Sequence, residues 1–490
     1  MDEAQYKKIC TACDDVLLSP RATLACTAIP WLHVIREHPS FLKDYEAVLV
    51  APIMRSKLAA HILKRLRFYF SWLRQLYKAY NASGAAWHGP QTFSQSSDVL
   101  LISHLLDRSK NKNALDFYFG DLSERLRVAG HTVTMAFIDH TGITTTAPTS
   151  PIVFTNSLGI QAEISLYQQL KRESRRLSIE ARTEPESLKK RVLERASLEA
   201  LSGATRTNLR LHQQFTQLIA RLKPKMVITT YEGHAWERLA YAAAHAVSPH
   251  TQCTGYQHAA IFRLQHSVRR QLQTVFNPNA ILTAGHVAKT QLEDSEQLRG
   301  IPITVLGSHR ALNVSYCHER KNNICLVLPE GLLSECRLLF EFSIACAKLL
   351  PEMHFVWRLH PLITYDKLVQ TYPSFRQLPK NIVLSSKAID ADIAVARYAL
   401  YRGSTAIVQA VCAGVQPIYL IASPSEMSID PLYQLDEWRQ SVSNTQAFKN
   451  LVADSETNGS QDVSKKLTAI QYCESFYSPY DSSVVFAHVV

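Results

Sequence analysis

From Asp98 onward the chain repeats one pattern: a short apolar run, a polar or glycine-bearing turn, then a stretch of helical character. VLLISHLL (99–106) is long enough for a buried strand. DFYFGDLSERLRVAG (116–130) fits a helix closed by Gly130, and HTVTMAFID (131–139) fits the next strand. A strand, a helix and a strand in that order require a parallel pairing, because the helix carries the chain back to the starting edge. PIVFTNS (151–157) reads as either a strand or a loop. Residues 161–223 are dense in charge and helical in character until Pro224 stops them. MVITT, WERLAYAAAHA, TQCTGYQHAAI and ILTAGHVAKTQLE then resume the alternation.

A second series starts near Asn323 with ICLVLPEG, a long helix from Leu332, HFVWRLHP, NIVLSS, STAIVQAVCAG closed by Gly414, and VQPIYLI. AIDADIAV (388–395) is expected to open a short strand, with Asp390 and Asp392 at the surface. The expected fold is therefore α/β: two Rossmann-like domains facing a cleft, preceded by an N-terminal region. The expected boundaries are 1–90 for that region, 91–310 for a first domain with a helical insertion, and 311–490 for the second. Residues 81–97, rich in small and polar residues, read as a linker.

A chain of 490 residues is too long for one ordinary core. Its 46% apolar and 19% charged residues describe a folded globular protein. No apolar run approaches the roughly 20 residues of a membrane-spanning helix. The N-terminus, MDEAQYKK, lacks the form of a secretory signal. A cytoplasmic protein is expected. Cys10 and Cys13 form a lone C-x-x-C without the second pair a zinc site needs, and Cys346 and Cys412 lie in apolar surroundings. The net charge of +11 could attract nucleic acid, anionic lipid or a phosphorylated substrate. The lack of any nucleic-acid-binding motif argues against the first. Between His61 and Tyr80, Lys64, Arg65, Arg67, Arg74 and Lys78 alternate with Phe68, Phe70, Trp72 and Leu73. Such a helix either lies in a membrane interface or packs its aromatics on the protein body.

The loops at strand ends carry the candidate chemistry, because open parallel sheets bind ligands beyond their carboxyl edges. Arg402-Gly403-Ser404-Thr405 precedes a helix, where glycine allows close approach and hydroxyls with free N–H groups can hold a phosphate. His360, followed by Pro361, ends another strand and could steady a diphosphate or a departing phosphate. Arg358 lies two residues earlier. Glu330 and Gly331 end the first strand of the second series. In the first series Glu232 and Gly233 come after MVITT, and a carboxylate there could take a proton from a hydroxyl. Glu237 is the competing base, His234 could tune either one, and an alternative is pairing of these carboxylates with Arg238. His258 closes GYQH, and Asp139 with His140 closes an earlier strand. No phosphate-binding P-loop, dinucleotide fingerprint, serine nucleophile elbow or strand-end D-x-D metal cluster is present in the sequence. No cofactor or metal is therefore expected.

Together GYQHA, WRLHP and RGSTAIVQAVCAGVQPIYL resemble the bacterial surface-polysaccharide glycosyltransferases of the two-domain GT-B type. Within that group the chain is similar to the Kdo transferases and bacterial sialyltransferases, which use CMP-activated keto-sugars. The resemblance covers roughly residues 98 to 430. It maps an acidic-glycine motif on Glu232-Gly233, a His–Pro motif on His360-Pro361 and a Ser/Thr motif on Ser404-Thr405. Tyr231 stands where the sialyltransferases commonly carry an acidic residue.

The resemblance implies a metal-independent, inverting transfer onto a lipopolysaccharide, capsule or other surface glycan, with Glu232 as base. His360, Ser404 and Thr405 would hold the CMP phosphate, and Glu330 with Gly331 would lie near the ribose or base. It also implies a nucleotide-sugar donor, a glycan or lipid-linked glycan acceptor, and peripheral contact at the inner face of the cytoplasmic membrane. GYQHA with a His–Pro motif is also similar to the CDP-glycerol polymerases, in which His258 would be the base. UDP-sugar transferases and non-hydrolysing epimerases share the two-domain cleft. A non-enzymatic scaffold is the remaining alternative, and it predicts that Glu232, His360 and Ser404 would not converge.

Overall fold

The computed structural model describes residues 1–34, 38–49, 54–81, 84–93, 96–106, 116–141, 151–310, 323–361, 363–435, 438–457 and 463–486. Residues 82–83 and 94–95 of the expected linker lie outside them, and so does the side chain of Lys64. The first sheet contains β1 (Trp87–His88), β2 (Val99–Leu105), β3 (Val133–Asp139), β4 (Ile152–Phe154), β5 (Met226–Thr230), β6 (Gln252–Gln257), β7 (Ala280–Thr283) and β8 (Ile303–Val305). Their spatial order is β1-β4-β3-β2-β5-β6-β7-β8, and every pairing is parallel except β1 with β4.

The second sheet contains β9 (Ile324–Leu328), β10 (His354–Trp357), β11 (Ile382–Leu384), β12 (Tyr398–Tyr401), β13 (Gln416–Leu420) and β14 (Gln440–Val442). It is parallel throughout, in the order β11-β10-β9-β12-β13-β14. Numbered within its own series, this is 3-2-1-4-5-6, the doubly wound dinucleotide-fold order. The parallel part of the first sheet repeats that order and extends it by one strand. Each sheet thus reverses direction at one point, between β2 and β5 in the first and between β9 and β12 in the second. The chain is an α/β protein with two Rossmann-like sheets.

The central strands are apolar on both faces because helices cover both. All five residues of β5 and all four of β12 are buried. In the second domain Trp357 stacks on Phe340 at 3.9 Å and donates its indole N–H to Ser343 at 2.8 Å. The N-terminal region is helical and shares a core with the insertion of the first domain. Helices Glu3–Leu17 and Pro39–Leu49 pack with Ile160–Thr183 and Ser187–Glu199 around Ile9, Leu32, Leu170 and Val192. Asp14 from this region pairs with the buried Arg270 of the first domain.

The structure departs from the sequence expectations at four places. The expected linker 81–97 contributes β1, which pairs with β4, and Trp87 in it is buried in the first domain. AIDADIAV contributes a helix, Ile389–Val395, and Asp392 is buried because it accepts from Arg358 and Ser385. The helix expected over 116–130 starts only at Leu122, since Asp116 and Gly120 close a tight bridge first. Residues 475–481 leave the second domain and return to the first. Val287 N donates to Ser475 O, Ser308 N to Ser478 O, and Asp481 N to Leu306 O. Side chains at Gly285 and Gly307 would overlap the backbone of Phe476 and Pro479, so both positions must be glycine for this segment to dock.

Candidate functional site at the two switch points

The sequence motifs gather where each sheet reverses. In the second domain the β9 loop carries Glu330 and Gly331, and the β12 loop carries Arg402 to Thr405, on either side of the switch point. A Cβ on Gly403 would overlap Glu330 Oε1, so the carboxylate lies directly over the glycine. A Cβ on Gly331 would fall 2.9 Å from Nδ1 of His360. Glu330, Gly331, His360 and Gly403 therefore form one compact group. Burial lowers the pKa of His360, favouring a neutral ring that still donates one N–H. Thr405 makes no capping hydrogen bond from its side chain, and Ser404 and Thr405 are both partly exposed.

Arg402 does not face a ligand. It is buried, donating to Glu335 at 2.7 Å, Glu426 at 2.9 Å and Leu420 O at 3.1 Å, and so it ties the start of helix Leu333–Leu349 and the end of β13 to the loop at Glu426. Arg358 is also occupied. It pairs with Asp392 and donates to Lys387 O, away from the switch point.

The first domain presents a different set. Glu232 stands just beyond β5, and its Oε2 is 3.0 Å from Nε2 of His234. A carboxylate can only accept, so this ring nitrogen carries the hydrogen when Glu232 is ionised. Gly233 has φ +85°, and a side chain there would collide with Ser267, whose hydroxyl donates to Glu232 O. Glu237 is fully buried at the start of helix Ala235–Val247. Its carboxylate accepts the N–H groups of Glu232, Gly233 and His234, and burial raises its pKa to about 7. It caps the turn that leads into the helix. Arg238 pairs with neither glutamate. It is buried and donates to Tyr231 Oη, Ser267 O and Arg270 O.

His104 ends β2 on the other side of this switch point, with Nδ1 2.8 Å from Nε2 of His140. Periodicity alone places His104 inside a strand and gives it no role. The signal that could have found it is a titratable residue at the carboxyl end of a strand beside the reversal. Burial, with the nearby His140 and His234 as lesser causes, lowers its pKa to about 3. Its ring lies edge-on to Trp236 at 5.0 Å. His258 follows β6, the strand beside β5, with its ring 4.7 Å from that of Tyr118 and 7% exposed. Asp139 accepts from Thr141 N and Oγ1, with Asn156 Nδ2 at 3.5 Å from its other oxygen. Among the described residues no cluster of three or more His, Cys, Asp or Glu has a metal-binding arrangement.

A short piece of the N-terminal region links the two groups. His33 is buried against Arg270 and lies near enough to His234 and Arg238 for their charges to lower its pKa, after burial as the main cause. His38 Nε2 lies 3.8 Å from Glu330 and 3.7 Å from Glu335, and Ser40 Oγ is 3.1 Å from Ser334 Oγ. His33 thus stands beside the loops of the first domain and His38, five positions on, beside those of the second. His38 has no signal in the sequence, because no local pattern marks a residue that reaches another domain. The cavity of about 230 Å³ lined by Thr92, Phe93, Thr132 and Leu222 lies at the opposite, amino edge of the first sheet.

No protein-family model matches the sequence, and no curated protein matches it. Solved structures do. The glycosyltransferase SnogD from Streptomyces nogalater is 14% identical, with TM-score 0.45, over 81% of this chain and 100% of that one. MurG of Acinetobacter baumannii is 11% identical, with TM-score 0.44, over 80% and 98%. UDP-GlcNAc 2-epimerase from Neisseria meningitidis is 13% identical, with TM-score 0.42, over 79% and 98%. Similarities of this size do not assign the chain to a family.

Proposed function

We propose that the protein is a glycosyltransferase that holds a nucleotide sugar at the second switch point and activates an acceptor hydroxyl at the first. The observation that carries this reading is the placement of both motif sets at the reversal points of two sheets with the same strand order. A scaffold has no need of that coincidence.

In this reading the donor is a CMP-activated keto-sugar, on the strength of the Glu232-Gly233, His360-Pro361 and Ser404-Thr405 set. The nucleotide phosphate sits against Gly403, Ser404 and Thr405, where backbone N–H groups and two hydroxyls face it. Glu232, oriented by His234, accepts the proton of the acceptor hydroxyl. The hydroxyl oxygen forms the new bond to the anomeric carbon. The bond from that carbon to the phosphate oxygen breaks, and CMP departs with the electron pair while His360 donates a hydrogen bond to it. One displacement inverts the anomeric centre. The chemistry asks for no metal.

Calorimetric titration with CMP, CDP and UDP, on the wild type and His360→Ala, tests the assignment. CMP binding stronger than UDP binding, weakened by the substitution, is the expected result. Preference for UDP would move the donor to a UDP-sugar. Preference for CDP would favour glycerol phosphate transfer. Binding of none of the three would remove the nucleotide site.

A further inference from the structure

Helix Met54–Tyr80 packs on helices Ile160–Thr183, Ser187–Glu199 and Gly203–Leu222, and among its described side chains the buried ones lie on one face. Trp72 stacks on Tyr167 at 4.2 Å, Gln75 is buried and donates to Asn156 O at 2.8 Å, and Ser71 accepts from Arg206 at 3.3 Å. Those contacts fix the helix in place. At 100° per residue the opposite face carries Leu63, Leu66, Phe70, Leu73, Tyr77 and Tyr80, at spacings that keep them in one stripe. All six are exposed, Phe70 by 65%, Tyr77 by 72% and Tyr80 by 77%. A preformed, continuous apolar stripe of this length marks an interaction surface.

Charge selects the partner. The 27 residues of the helix contain no Asp or Glu. Arg67, Arg74 and Lys78 fall on one side of the stripe at i, i+7 and i+11, and all three are exposed without an ion pair among the described residues. A second copy of the helix on this stripe would bring basic rails together along the seam, which costs stability. An anionic surface would meet apolar and basic groups at once, as an interfacial helix requires. No helix among the described residues is long and apolar enough to cross a membrane, so the contact is a lateral one.

The helix also leads towards the first switch point. Gln75 holds Asn156, whose side-chain nitrogen is 3.5 Å from Asp139, next to His140 and its partner His104. We infer that this helix lies flat on an anionic lipid bilayer and brings the acceptor side of the first domain to the membrane surface. The bearing on the acceptor rests on the glycosyl-transfer reading; the membrane contact does not.

Co-sedimentation of the full chain with vesicles tests it, comparing neutral phosphatidylcholine with vesicles containing phosphatidylglycerol. The wild type should bind the anionic vesicles and release at high salt. Arg67→Gln, Arg74→Gln and Lys78→Gln together should weaken that partition roughly a hundredfold, about fivefold per charge. Phe70→Ser with Tyr77→Ser should abolish it while nucleotide titration stays unchanged, which separates this inference from the functional reading. A Phe70→Trp probe should show blue-shifted fluorescence on anionic vesicles only. Equal binding to neutral vesicles, no binding, or a dimer in light scattering that Phe70→Ser dissolves would each overturn the inference.

Discussion

The two switch points share a topology and differ in chemistry. The first is lined by ionisable side chains, Glu232, His234, His104 and His140, and burial pushes His104 and His140 towards the neutral form. The second is lined by backbone, with Gly331 and Gly403 pressed against His360 and Glu330, and its one buried guanidinium locked between two carboxylates. A group that must move a proton needs a tunable side chain. A group that must grip a phosphate needs glycine and N–H donors at short range. In the proposed reading the same fold would supply both by changing only the loops at the carboxyl ends of its strands.

The sharpest way to break this contrast is Glu232→Gln. Loss of a general base should lower transfer by roughly 10² to 10⁴ while CMP affinity stays constant. A fall in CMP affinity in calorimetry would show that the two edges do not divide the work. The converse test is Gly403→Val, which must displace Glu330 from the loop. Nucleotide affinity should drop on the order of a hundredfold, about 3 kcal/mol, while the melting temperature changes little. Retained affinity would mean that the glycine serves only the fold.

Smaller effects separate individual buried groups. The pKa of Glu237 is raised to about 7 by burial, so its contribution to stability is present below the unfolded value near 4.5 and lost as pH rises through 7. Denaturant titrations should find the wild type gaining on the order of 2 kcal/mol over Glu237→Gln between pH 8 and pH 5. His33 runs the other way. Its pKa is lowered to about 3, so its contribution is present above 6.5 and lost as pH falls towards 3. About 2 kcal/mol should be gone by pH 5, and His33→Gln should remove that slope. Parallel slopes in variant and wild type would contradict either assignment. Arg358→Met should leave nucleotide affinity intact and lower stability by about 2 kcal/mol, because Asp392 would lose its partner in a buried site.

The parts legible in the sequence are those that repeat locally. Apolar runs ending in glycine or histidine mark the strands, and the motifs at their ends are neighbours in space. What escapes a local reading depends on distant partners. The helix Ile389–Val395 resembles a strand in sequence because its seven residues are too few to show a period, and Asp392 is explained only by Arg358, 34 positions earlier. Glu237 has the look of a base, and only its three backbone donors identify it as a cap. The N-terminal helices bury their apolar faces against residues 160–222, which no local window contains. His104 and His38 acquire meaning only through strand order and through the crossing to the second domain.

The return of residues 475–481 to the first domain has a mechanical consequence. The chain passes between the sheets after β8 and again after helix Val463–Glu474. Residues 475–481 act as a clasp: Gly285 and Gly307 lie directly beneath the returning backbone, so a larger residue at either would prise it off. Cutting the chain before Ser475 would deprive Val287 N, Ser308 N and Leu306 O of these partners at one stroke.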